Sequence, residues 1–273
     1  MALGNTATRI IVSIIAIPLI LAICIYGKIP FLIFTSIIGL VSFWEFKHIA
    51  RNKNIHVNFY IGAIAILALV INAYYPFIEF YTLTVIFVSI ILLTELFRNK
   101  GSAILNSGST LLGLFYLGLF TSTLVLIREN YADSEIIYNE GGYLIISIMA
   151  SIWICDSAAF FIGSAFGKHK LFPRVSPNKS WEGAVAGFVF AVIAMIAAKA
   201  IVLDQLNLIN VIVIGILVGI VGQIGDLVES LIKRDAGVKD SSALIPGHGG
   251  IFDRFDSLLF TSPAVYIYLY FLS

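Results

Sequence analysis

Leu208 to Lys233 reads LINVIVIGILVGIVGQIGDLVESLIK, and its two parts call for different solvents. From Leu208 to Gly225 there is no charged residue. An apolar run of roughly 20 residues is what a helix needs to cross the hydrocarbon core. Asp226, Glu229, Ser230 and Lys233 then follow at i, i+3, i+4 and i+7, so on a helix they share one face. Lipid does not solvate carboxylates, so these must meet protein, water or a cation. The segment predicts a membrane helix that delivers a polar face at one surface.

The rest of the chain agrees. Of 273 residues, 59% are hydrophobic and 12% charged, with a mean hydropathy of +0.98. A soluble domain carries about 25% charged residues. The composition therefore predicts an all-α, polytopic membrane protein. Nine segments are long and apolar enough for spans, some at the short end: about 10–26, 30–49, 58–75, 77–97, 104–127, 142–166, 181–202, 208–232 and 257–272. The first follows Arg9 and is succeeded by Gly27-Lys28-Ile29-Pro30. That is no cleavage site, so the helix is read as retained. Cys24 and Cys155 lie in apolar runs and read as small buried hydrophobes. The net charge of +1 points to no nucleic-acid or other charged partner.

Lysine and arginine placement sets the orientation. With the N-terminus cytoplasmic, that side receives Arg9, Lys47, Arg51, Lys53, Arg98 and Lys100. It also receives Lys168, Lys170, Arg174, Lys179, Lys233, Arg234, Lys239 and Arg254, leaving Lys28, Arg128 and Lys199 opposite. The chain divides into N-terminal spans (1–140) and a region of about four spans (141–273) with cytoplasmic motifs 167–183 and 226–256. The two read as one continuous membrane domain.

Three stretches carry chemistry. In the first, Asp226 and Glu229 join Asp253 and Asp256, just before the last span, in an all-oxygen set suited to Mg²⁺. Asp226 and Asp253, on different helices, are the leading ligands for one or two ions. The plainer readings are a solvated helix end with a Glu229–Lys233 pair, and helix capping by Asp253 or Asp256. In the second, Pro246-Gly247-His248-Gly249-Gly250 lets backbone amides approach an anion, with Lys233, Arg234, Lys239 and Arg254 around it. His248 either touches the ligand or completes a turn. In the third, SPNKSWEG, Ser176, Lys179 and Ser180 suit phosphate at a helix start. Ser180 reads equally as an N-cap, with Glu182 in the first turn. Asp156 is a carboxylate deep in a span, either functional or hydrogen-bonded to a neighbouring helix. Glu45, Glu79 and Glu95 read as interfacial.

Ser230-Leu-Ile-Lys233-Arg234, Lys239-Asp240, Pro246-Gly-His248-Gly249-Gly250 and Asp253-Arg254-Phe-Asp256 together resemble the signature of the phosphatidate cytidylyltransferase (CDP-diglyceride synthase) family. SPNKSWEG is similar to its second motif, with Ser180 for Thr. Asp156-Ser-Ala-Ala-Phe-Phe resembles a third, with Ala158 and Phe160 where Gly and Tyr are expected. The resemblance implies condensation of CTP with phosphatidic acid to CDP-diacylglycerol and pyrophosphate in a bacterial-type cytoplasmic membrane, with the site facing the cytoplasm. It implies Mg²⁺ in a site of two metals, one position open to a monovalent cation. Asp226 and Asp253 would hold metal, with Asp256 and Glu229 as further ligands. Lys233, Arg234, Lys239 and Arg254 would bind phosphates. Ser176, Lys179, Ser180, Ser230, His248, Gly249, Gly250, Asp156 and Asp240 would contact substrate. A homodimer is a further expectation. The alternatives are a membrane transferase acting on a polyprenol or isoprenoid phosphate, and a cation-coupled transporter using Asp156.

Overall fold

The computed structural model describes residues 5–132, 135–245, 247 and 249–272. The chain is helical almost throughout: α1 (Asn5–Tyr26), α2 (Lys28–Arg51), α3 (Phe59–Tyr74), α4 (Phe80–Arg98), α5 (Ala103–Arg128) and α6 (Tyr138–Phe166). A small antiparallel hairpin, β1 (Lys170–Phe172) and β2 (Ser176–Ser180), comes next. Then follow α7 (Trp181–Ile201), α8 (Leu208–Asp235) and α9 (Phe252–Tyr270). Six helices among the described residues are long and apolar enough to cross a membrane: α2, α4, α5, α6, α7 and α8. Of the nine expected spans, only these six reach that length and apolarity among the described residues. The apolar parts of α1 and α3 are shorter, and α9 opens with Asp253, Arg254 and Asp256. Large apolar side chains such as Tyr60, Phe97, Ile104, Phe161 and Ile201 point outward, the pattern of a protein dissolved in lipid.

The described residues form two compact units. One comprises Met1–Ile23, Lys28–Leu126 and Ile232–Phe255. Its interior is wedged by Phe43, whose ring lies where a Cβ on Gly62 or Gly113 would stand, 2.3 and 2.5 Å away. Small residues let α2, α3 and α5 approach closely, as membrane helices need when apolar burial alone gives no drive. α5 contains a π-helical turn at Leu114–Leu119.

The other unit comprises Cys24–Gly27, Ile127–Leu231 and Asp256–Ser273. Here α6 and α7 pack backbone to backbone: a Cβ on Gly183 would lie 2.6 Å from the Ala159 carbonyl oxygen, and one on Gly187 2.9 Å from that of Cys155. Arg128, expected as a loop residue marking topology, is instead fully buried. Its guanidinium donates to the carbonyls of Cys24 (2.6 Å), Ile25 (2.7 Å) and Tyr138 (3.1 Å). It thereby closes the last turn of α1, whose end carbonyls have no partner within the helix. Gly27 has φ +66°, and a Cβ there would collide with Arg128 at 2.3 Å.

Candidate active site

α8 brings the first group of side chains together. A π-helical turn at Val218–Gly222 interrupts its ladder just before the carboxylates. Such a turn leaves a carbonyl needing a donor and re-aims the residues that follow. Gln223 Nε2 supplies that donor, 2.6 Å from the Gly219 carbonyl oxygen and 3.0 Å from that of Ala184 on α7. One turn on, Asp226 and Glu229 share a face as their spacing predicts. With Asp256 from α9 they form a group in which one oxygen of each lies within 4.8 Å of the others. Glu229 is fully buried and Asp256 is 9% exposed. The Lys179 ammonium pairs with Asp226, and Ser230 Oγ lies 3.4 Å from the other Asp226 oxygen. Asp156 projects from α6 as an exposed residue. Cys155 beside it is buried.

The hairpin that carries Lys179 was legible only as a polar segment. Lys170 pairs with Ser180 and Phe172 with Ser176. Ser180 Oγ accepts the Gly183 amide at 3.2 Å, so it is the N-cap of α7. Glu182 binds His169 Nδ1 at 2.7 Å, fastening the hairpin's other end. Ser176 is half-buried at the start of β2.

The second group centres on Asp253, the second residue of α9. Lys233 Nζ donates to Asp253 Oδ1 at 2.7 Å, with both side chains nearly buried (10% and 7% exposed). Asp253 Oδ2 accepts from the Ser241 amide (3.0 Å), Ser241 Oγ (2.9 Å) and the Gly250 amide (2.8 Å). Asp253, expected as a metal ligand, accepts these protein donors, as Asp226 accepts Lys179. Reaching back to Gly250, it does what a capping-box carboxylate does. Gly249 sits at φ +83°, a conformation that favours glycine. Its carbonyl accepts from the Ile245 amide at 2.9 Å, which closes the loop. Lys239, Asp240 and Arg254 are exposed, and the exposed Arg234 donates to the Val238 carbonyl at 2.9 Å. His248 and Pro246 lie outside the described residues.

Two buried carboxylates were read from sequence as interfacial. Glu95 is 8% exposed and bonds Asn106 at 2.7 Å and Arg98 at 3.1 Å. Glu45 is fully buried and binds the 241–252 loop. A carboxylate inside an apolar helix was the available signal, since such a group must find donors.

Helices with apolar outer faces, six of them long enough to cross a bilayer, define a multi-pass membrane protein. The chain belongs to the cytidylyltransferase family, whose model matches residues 7–272. It is similar to the phosphatidate cytidylyltransferase of Bacillus subtilis (strain 168), at 32% identity over 268 residues and 96% of both chains. That of Staphylococcus aureus (strain COL) is 32% identical over 265 residues, 96% of this chain and 98% of the relative. That of Staphylococcus haemolyticus (strain JCSC1435) is 31% identical over 265 residues.

Proposed function

We propose that the protein transfers the cytidylyl group of CTP to phosphatidate, giving CDP-diacylglycerol and pyrophosphate. An oxygen of the lipid phosphate forms a bond to the α-phosphorus of CTP. The bond from that phosphorus to the bridging oxygen breaks, and pyrophosphate departs with the electron pair. The attacking oxygen is already anionic, so no strong general base is required. The work is alignment and neutralisation of charge.

The observation that carries this reading is the group Asp226, Glu229 and Asp256, in a chain matched over nearly its whole length by the cytidylyltransferase family. Three carboxylates within 4.8 Å repel one another, and an all-oxygen set fits a hard divalent ion such as Mg²⁺. These three residues would hold it. Bound there, such an ion would neutralise charge on the phosphates. Lys179, fixed by the hairpin beside Asp226, sits where it can receive a phosphate oxygen, and Ser230 orients Asp226. Lys233 and the exposed Lys239, Arg234 and Arg254 suit the triphosphate. The excess of basic residues on alternate inter-helix segments of the sequence supports a site reached from the cytoplasm. The apolar exteriors of the helices admit the lipid substrate from the bilayer.

Purified protein in detergent, given labelled CTP, phosphatidate and Mg²⁺, is expected to form CDP-diacylglycerol and release pyrophosphate. Transfer to an isoprenoid phosphate in preference to phosphatidate, or no dependence on CTP, would overturn the proposal.

A further inference from the structure

Glu45 lies inside α2, between Trp44 and Phe46, and is completely shielded from solvent. Its partners all come from the 241–252 segment. Oε1 accepts from Ser242 Oγ (2.5 Å) and the Ile251 amide (3.0 Å). Oε2 accepts from the Phe252 amide (2.7 Å) and lies 3.2 Å from Ser241 Oγ. The amides of Ile251 and Phe252 stand at the start of α9, among the donors a helix cannot satisfy itself. Glu45 is therefore a helix cap supplied by a different helix.

Ser241 connects this cap to Asp253. Its hydroxyl has one proton and two carboxylate neighbours, Glu45 Oε2 at 3.2 Å and Asp253 Oδ2 at 2.9 Å. Its amide also donates to Asp253. The position of Ser241 thus sets where Asp253 holds Lys233. Packing fixes the same segment: the fully buried Phe252 meets the Tyr116 ring edge to face, and Phe255 meets Phe34. Gly250 leaves no room at this junction. A Cβ there would stand 2.0 Å from Ser241 Oγ and 2.4 Å from Glu45 Oε1.

We infer that Glu45 is a positioning residue for the cytidylyl transfer: through Ser241, Ser242 and the first amides of α9 it fixes Gly250 and the Asp253–Lys233 pair, whose ammonium receives the triphosphate. This rests on the function proposed above. Glu45 acts through this segment. Its four partners are all donors to it, or can be. An amide in its place turns an NH₂ toward N–H or O–H groups, so Glu45→Gln disrupts the contact despite its equal size.

The test is steady-state kinetics of purified Glu45→Gln, Ser242→Ala and Glu95→Gln, with circular dichroism and thermal melting alongside. Glu95 is the control: a buried carboxylate that bonds Asn106 and Arg98. Glu45→Gln is expected to raise the KM for CTP roughly tenfold to hundredfold, as leaving buried donors unpaired implies. The KM for phosphatidate should change less than about threefold. Ser242→Ala, which removes one of the four donors and keeps the fold, should raise the CTP KM by a smaller factor. Glu95→Gln should lower the melting temperature without moving the CTP KM.

A Glu45→Gln protein that melts lower but keeps the wild-type CTP KM, as the Glu95 control does, overturns the inference. If Glu45→Gln does not fold, an unchanged CTP KM in Ser242→Ala overturns it. Wild-type protein without CTP-dependent transfer would instead refute the function proposed above. Active wild type with an inactive Asp253→Asn and unaltered Glu45 and Ser242 variants sinks only the role given to Glu45.

Discussion

The two groups of carboxylates solve the same problem in opposite ways. Glu45 and Asp253 are surrounded by amides, hydroxyls and one ammonium, so their charges are answered by the protein itself. Asp226, Glu229 and Asp256 are gathered oxygen to oxygen within 4.8 Å, with Lys179 bound to Asp226. Donors around a buried carboxylate make a rigid joint. Carboxylates that converge this closely, even with Lys179 on Asp226 and the Ser257 amide on Asp256, make an all-oxygen group that a divalent cation would suit. On the function proposed above, the second group would hold the ion and Glu45 would brace the loop, although all five residues are acidic and all lie in helices.

Substitutions can break or sharpen that contrast. The largest effect is expected from Asp226→Asn, which takes one oxygen ligand's charge from the group and the partner from Lys179. Transfer activity should fall by on the order of 10²–10³-fold, the loss typical when a group stabilising transition-state charge is removed. The Mg²⁺ concentration for half-maximal rate should rise. Activity within about twofold of wild type at unchanged Mg²⁺ would erase the distinction.

Lys233→Met addresses the other group. Removing one partner of a nearly buried pair leaves the Asp253 charge without its ammonium, a loss of about 3–5 kcal/mol. Thermal melting should register that loss and activity should drop with it. The Mg²⁺ dependence of what remains should be unchanged. A shifted Mg²⁺ requirement would move Asp253 from the architectural group to the chemical one. The smallest effect belongs to Ser180→Ala. The cap of α7 is worth about 1 kcal/mol. Its loss should lower the melting temperature slightly, with a modest fall in rate because Lys179 is the preceding residue. An unchanged melting temperature would show that the hairpin, and not the cap, holds the start of α7.

The helices were largely legible because apolar runs and their interruptions are local. The boundaries of α2, α5, α7 and α8 fall within a few residues of those read from sequence. The face shared by Asp226 and Glu229 was legible for the same reason, since helical spacing fixes it. What lay beyond reading was long-range pairing. Glu45 and Ser241 are 196 residues apart, and a lone glutamate near a helix end reads the same whether it reaches water or caps another helix. Arg128 was mistaken for a loop cation because its partners, the carbonyls ending α1, belong to a helix 103 and 104 residues earlier. Asp253 fits a ligand pattern and a cap pattern equally well, and its contacts with Ser241 and Gly250 depend on the fold. The hairpin hides behind Pro177 and Asn178, which argue for a loop, while its pairing depends on residues across the turn.

The most direct measurement of the division between the two groups is Mn²⁺ binding, followed by electron paramagnetic resonance on purified protein in detergent without nucleotide. Wild-type protein should bind the ion. Asp226→Asn, Glu229→Gln and Asp256→Asn should each weaken binding by more than about tenfold, while Asp253→Asn leaves it unchanged. Loss of Mn²⁺ binding in Asp253→Asn, with full binding retained in Glu229→Gln and Asp256→Asn, would contradict the account.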